Sequence, residues 1–236
     1  MYKKISHNIV EEHFDHPMTL PQGIQNPGAH KPITMSNGGL PAYVMTDATM
    51  LFRMDARTAW GKWVWSLLNY SISLNGNLPG TDQVKARLNK NAAALGDYII
   101  PYYGLTAGHL LASALMAIGD VGVEYVEAYK ANKDTKVIEA KWPSLIDNVV
   151  KIMNELNPGN WPVLTLTDIF VNLVRVWTEQ LSARAKKDIV GDEIAIDYIN
   201  KLIISGLPDH GKHGFSSLAD IFSRGIVAQF PQQFAD

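Results

Sequence analysis

The sequence predicts an all-α protein: an antiparallel bundle of about six to seven helices behind an extended N-terminal arm. Three observations carry this. From residue 46 onward, apolar residues recur at three- and four-residue spacing, in segments opened by Thr, Ser or Asp and closed by Gly, Asn or Pro. No stretch shows the strict alternation of a half-buried strand. Residues 1–45 hold five of the 12 prolines and four of the seven histidines, a composition unlike the rest of the chain.

In the arm, residues 1–45, the prolines remove backbone donors and push the residues before them toward extended conformations, which disfavours helix and central strand. The segment still carries Ile5, Ile9, Phe14, Met18 and Leu20, apolar side chains suited to lying along a surface, its own or a neighbour's.

Residues 46–236 form the predicted helical domain. Thr46 or Asp47 caps a first helix running to about Leu74, closed by "NGNLPG". Thr81 opens a second, expected to end at Gly96, and Thr106 caps a third reaching "YKAN". A fourth runs from Asp134 through "NEL", with Pro143 placed to kink or break it. Thr165 and Asp168 form a capping-box pattern ahead of a fifth helix, residues 192–204 form a sixth, and Ser216 or Ser217 caps a last one to about Ala228. The connections are mostly short, so successive helices should be antiparallel.

Within the first helix, "RTAWGKWVWSLLNY" places Trp60, Trp63 and Leu67 on one face and Trp65, Leu68 and Ile72 on another. Apolar residues on two faces imply a helix covered on more than one side, so the tryptophans read as core. A stacking box for a ligand would need exposed polar partners, and Arg57, Lys62 and Asn69 are those at hand. In the third helix Gly108, Ala112, Gly119 and Gly122 interleave with Leu111, Leu115 and Ile118. Interior glycines cost helix stability, so they point to close backbone approach by another helix.

Composition excludes several functions. At 236 residues with 47% hydrophobic and 19% charged residues, the chain can bury a sizeable core. A net charge of −2 with scattered Lys and Arg argues against a nucleic-acid surface. The absence of cysteine rules out disulfides, thiolate metal sites and cysteine nucleophiles. The start, "MYKKISHNIVEEHFDH", lacks an apolar leader, and no stretch reaches ~18 uncharged apolar residues, so the expected location is intracellular, with no membrane span.

Candidate chemistry is sparse. "HFDH" in the arm has metal-ligating residue types but no scaffold to fix them. The loop "PDHGKHG" gathers Asp209, His210 and His213, the best local cluster for a metal or phosphate contact, although a solvated inter-helix loop is the simpler reading. No phosphate-binding glycine loop, HExxH motif or nucleophile elbow occurs. No cofactor and no catalytic residue is expected.

The strings "ARLNKN" (residues 86–91), "PYYG" (101–104), "NELNPGNW" (154–161) and "RGIVAQFPQQF" (224–234) resemble an uncharacterised helical family of bacilli and large DNA viruses, some of whose members carry the labels acetylglutamate kinase or glycosyltransferase. The resemblance spans roughly residues 50–234 and leaves out the arm. Family members tend to carry histidines on three helices, where this chain has Trp60, about Ala117, and Asn172, and the family's "WTR" is "WVW" at residues 63–65. A polar centre in relatives would here be filled with core.

The functional expectation is a non-enzymatic structural or interaction protein, a bundle docking through its arm onto further copies or other assembly subunits. The resemblance implies a minor capsid or virion-associated component, which would also place the chain in a virus particle. Ile5, Ile9, Phe14, Met18 and Leu20 are the expected contacts in the arm, with Phe230 and Phe234 as a C-terminal docking strip. The competing expectation is a metal- or small-molecule-binding bundle enzyme, its pocket lined by Asp209, His210 and His213 or by Asn172, Arg175 and Glu179.

Overall fold

A computed structural model describes residues 33–35, 43–209 and 214–235. The fold is all-α, as expected: α1 (Asp47–Gly76), α2 (Thr81–Tyr103), α3 (Leu105–Lys130), a single turn α4 (Lys136–Glu139), α5 (Trp142–Leu156), α6 (Val163–Ala185), α7 (Ile189–Asn200) continued by a π-helical turn (Lys201–Ser205), and α8 (Leu218–Gln229). Among the described residues, strand is confined to two antiparallel ladders of three residues, β1 (Ile33–Met35) with β2 (Tyr43–Met45) and β3 (Leu207–Asp209) with β4 (Gly214–Ser216). Three residues are too few for alternation to be visible in a sequence. The β1–β2 ladder belongs to the same compact unit as the helices, so that unit begins ahead of Thr46. Ile5, Ile9, Phe14, Met18 and Leu20 lie outside the described residues.

Helix α1 is the axis of the fold, touching α2, α3, α6, α7 and α8. Thr46 caps it in a reciprocal box with Thr49, each hydroxyl accepting from the other residue's backbone N–H. Trp60 and Trp63 are fully buried and meet edge to face at 5.9 Å, and Trp60 meets Phe222 of α8 in the same way at 5.5 Å. Two of the three clustered tryptophans are therefore core.

Helix α2 does not stop at Gly96. It runs through that residue and Pro101 to Tyr103, and one residue, Gly104, turns the chain into α3. Gly96 is a contact rather than a terminator: a side chain there would strike the Gly108 carbonyl of α3, and one at Gly108 would come within 2.7 Å of the Gly96 carbonyl. The same close approach occurs at Gly119, against Leu88, and at Gly122, where the Trp177 ring of α6 fills the missing side chain's place. The small-residue spacing in α3 is thus a record of helix contact. Helix α3 is long and apolar enough to cross a membrane, and 56% of its apolar window is buried inside the domain.

Other boundaries shifted for identifiable reasons. The expected fourth helix is broken, with Pro143 in the first turn of α5. Helix α6 starts at Val163 behind an extended Pro162, ahead of the expected Thr165 cap. Helix α7 starts at Ile189 because Asp188 caps it, accepting from the Gly191 N–H; Asp192 is instead buried and accepts from Gln180 Nε2 at 2.6 Å and from Arg184.

Residues of the strings at 101–104, 154–161 and 224–234 meet in one seam. The Tyr103 ring lies 5.5 Å from Trp161 and 5.4 Å from Phe230. Asn157 donates to Gly225 O at 2.8 Å and to Tyr103 Oη at 3.1 Å, and Trp161 stacks on Phe222 at 5.3 Å. Burial pushes the Tyr103 hydroxyl well above the usual tyrosine range. These residues join α2, α5 and α8.

Candidate functional site

Two clefts open on the helical surface. The first lies between α1 and α2, over the π-helical turn, and has a volume of about 590 Å³. Helix α1 supplies Arg57, Lys62, Trp65 and Asn69 at spacings that stack them along one side, and α2 supplies Arg87 and Asn91. Gly61 leaves room for Ile204, whose Cδ1 would sit 3.3 Å from a side chain at that position, and this closes the cleft's floor. Asn91 fixes the two walls: its buried amide donates to Lys62 O at 2.9 Å and to Ser66 Oγ.

One end of the cleft is held by a clasp. Asp220, 1% exposed, accepts from Arg57 Nε at 3.0 Å and Nη2 at 2.8 Å, and from Arg53 Nε at 2.7 Å and Nη2 at 3.0 Å. Burial alone would raise the Asp220 carboxyl, but the two guanidinium groups outweigh it and hold the group below the usual carboxylate range. Ser217 caps α8 by accepting from the Asp220 backbone N–H at 3.2 Å, so the acidic side chain also sits in that helix's first turn. The clasp binds α8 to α1 and fixes where the Arg57 head stands.

The cleft brings together Arg57, Lys62 and Asn69, the three polar partners expected beside the tryptophans. It does so around Trp65 alone. Trp65 is 49% exposed, while Trp60, Trp63, Trp142, Trp161 and Trp177 are all buried. Arg87 and Asn91 lie in the string "ARLNKN", but because they come from another helix their spacing does not link them to Trp65; Arg53 and Arg57, four residues apart, and Ser217 with Asp220, three apart, are the sequence signals for the clasp.

The second cleft, about 420 Å³, lies between α6 and α7 and contains Arg175 and Glu179 of the competing set. Two of its charges are paired: Arg175 donates to Glu179 Oε1 at 2.7 Å and to Asn172 Oδ1 at 3.2 Å, and stands 6.0 Å over the Tyr198 ring, while Lys186 and Asp188 also line the cleft. Asn172 is a turn away from the cleft and donates to Asp168.

Asp209 lies on β3, while His210 and His213 lie outside the described residues. Among the described residues no three His, Asp or Glu side chains gather as metal ligands. Phe230 and Phe234 do not form an outward strip. Phe234 is buried 4.8 Å from Phe52, and Phe230 is half-buried 5.5 Å from Tyr102, because the turn after α8 folds both rings back onto α1 and α2. Comparisons with protein families, with curated proteins and with solved structures return no match to this chain.

Proposed function

We propose that the chain is a non-enzymatic interaction protein, a rigid helical bundle that joins an assembly through α1 and the arm preceding it. The observation that carries this reading is the outer side of α1: Leu51 and Met54 are 60% and 58% exposed and fall on the same helical face as Trp65. The buried carboxylates support it, since Asp220 and Asp192 are spent on joining helices rather than poised in a cavity. The motif resemblance to a family of large DNA viruses adds the finer specification, a minor capsid or virion-associated component whose partners are further copies or other subunits.

The test uses the full chain. Light scattering is compared for the native sequence, for Leu51→Glu/Met54→Glu, and for Ile5→Asp/Ile9→Asp/Phe14→Asp. Leu51 and Met54 are exposed and tolerate charge without unfolding. Assembly that both variants reduce to monomer supports the proposal. A native chain that stays monomeric at every concentration and acquires no higher mass defeats the self-assembly form of it.

A further inference from the structure

We infer that the cleft between α1 and α2 is a binding site for a phosphate ester carried on a flat aromatic ring, the chemistry of a nucleotide. The inference does not rest on the interaction role proposed above, although Trp65 lies on the same face of α1 as the exposed Leu51 and Met54 that carry that role.

The cleft's charge is one-sided. Its lining holds three cations, Arg57, Lys62 and Arg87, and no carboxylate. Elsewhere on the surface some basic groups are paired, Lys85 with Asp120, Lys141 with Glu124 and Arg175 with Glu179, while others, such as Lys90, Lys133 and Lys201, form no ion pair among the described residues; what distinguishes the cleft is that its cations converge on one cavity. Lys62 and Arg87 have no ion pair among the described residues. Arg57 is spoken for on one edge only. Asp220 takes its Nε and Nη2 and shares itself with Arg53, leaving the Arg57 Nη1 edge without a carboxylate partner among the described residues. Because the clasp already immobilises that guanidinium, an incoming anion meets a head group whose ordering cost is met.

Three cations around one cavity suit a ligand with more than one negative charge. A phosphate monoester supplies this and presents several acceptor oxygens to arginine and lysine, whereas a single carboxylate does not. The ring requirement comes from Trp65. It is the one half-exposed tryptophan of six, and it has no ring partner among the described residues, while the buried Trp60, Trp63, Trp142, Trp161 and Trp177 each have one. An aromatic face flanked by cations offers stacking to a heterocycle at the point where its phosphate is met. The polar joint between the two walls is already built. Asn91 and Ser66, both buried and hydrogen-bonded to each other, hold the walls apart at a volume suited to a small molecule.

The experiment is a calorimetric titration of the full chain with adenosine 5′-monophosphate, adenosine and inorganic phosphate, repeated on Lys62→Gln, Arg87→Gln and Trp65→Leu. The three altered side chains are exposed, and circular dichroism checks that each variant keeps its helix content. The expected result is saturable binding of the monophosphate, at least about tenfold tighter than either half-molecule, weakened about threefold or more in each variant and further weakened by salt. Adenosine binding as tightly as the monophosphate, binding unchanged in Lys62→Gln and Arg87→Gln, or no saturation below about 10 mM each overturns the inference.

Discussion

Arg57 and Asp220, 163 residues apart in sequence, meet through two parallel hydrogen bonds of 3.0 and 2.8 Å, and Arg53 grips the same carboxylate from one helical turn away. A carboxylate this buried is tolerable only because both guanidinium groups remain. Asp220→Asn keeps the shape and removes the charge, leaving two arginines facing a neutral amide at a closed interface. Losing one partner of a buried pair costs roughly 3–5 kcal/mol, so the melting temperature should fall by about 10 °C. Arg57→Gln should cost clearly less, since Arg53 still neutralises Asp220. Thermal melts followed by circular dichroism separate the two, and equal losses would mean that the arginines do not share the load.

The same clasp sets the acid limit of stability. In the folded chain the Asp220 carboxyl titrates below its ordinary value of 3.8. Between the folded and unfolded values the unfolded chain therefore binds more protons, and stability falls as the pH falls. The contribution is fully present above the ordinary carboxylate value and is lost as the pH drops through the lower, folded one. At the other extreme, burial and then the nearby Asp120 push the Tyr70 hydroxyl up to about 12 from 10.0. That contribution is present below pH 10.0 and is lost as the pH rises toward about 12. Urea midpoints at pH 2.5, 4.5, 7, 10 and 12 should trace a plateau with two falling flanks, and Asp220→Asn should flatten the acid one.

The glycines of α3 allow a sharper test of packing. A methyl group at Gly122 would fall 2.0 Å from Cη2 of the Trp177 ring, and one at Gly108 would meet Ile100 at 2.6 Å. Gly122→Ala and Gly108→Ala should each lose about 1–3 kcal/mol, overpacking outweighing the gain in helix propensity. Gly159 has nothing within 4 Å of the corresponding point, so Gly159→Ala should stay within about ±0.5 kcal/mol. Denaturant midpoints of the three variants check the order.

Why some of this was legible in the sequence and some was not follows from particular residues. The periodic apolar pattern is a local property, so the helices, the Ser217 cap and the break at Pro143 could be read directly. Gly96 reads as a helix end because glycine often stands there. Only the partner helix reveals that it is a crossing point, and the glycine of α3 it faces is 12 residues away across a turn. Phe230 and Phe234 follow the last long helix in a proline-containing segment, the pattern of a free strip, yet they complete a ring cluster with Phe52 and Tyr102. The cleft was half legible: Arg57, Lys62 and Asn69 are neighbours on α1, but Arg87 and the Asp220 clasp arrive from α2 and α8.

The tryptophans of α1 divide in a way that one series of variants resolves. The indole nitrogens of Trp60 and Trp63 are buried without a hydrogen-bond partner, whereas Trp177 donates to Ser71 Oγ at 2.6 Å. Ser71→Ala therefore strands a buried donor and should cost about 1–3 kcal/mol. Trp63→Phe breaks no hydrogen bond and loses only volume, about 1–2 kcal/mol. Trp65→Phe alters a half-exposed ring and should leave the melting temperature unchanged while removing most of the emission that acrylamide quenches. If Trp65→Phe destabilised the protein as much as Trp63→Phe, the outer ring would be packed rather than presented, and the cleft would lose its aromatic wall.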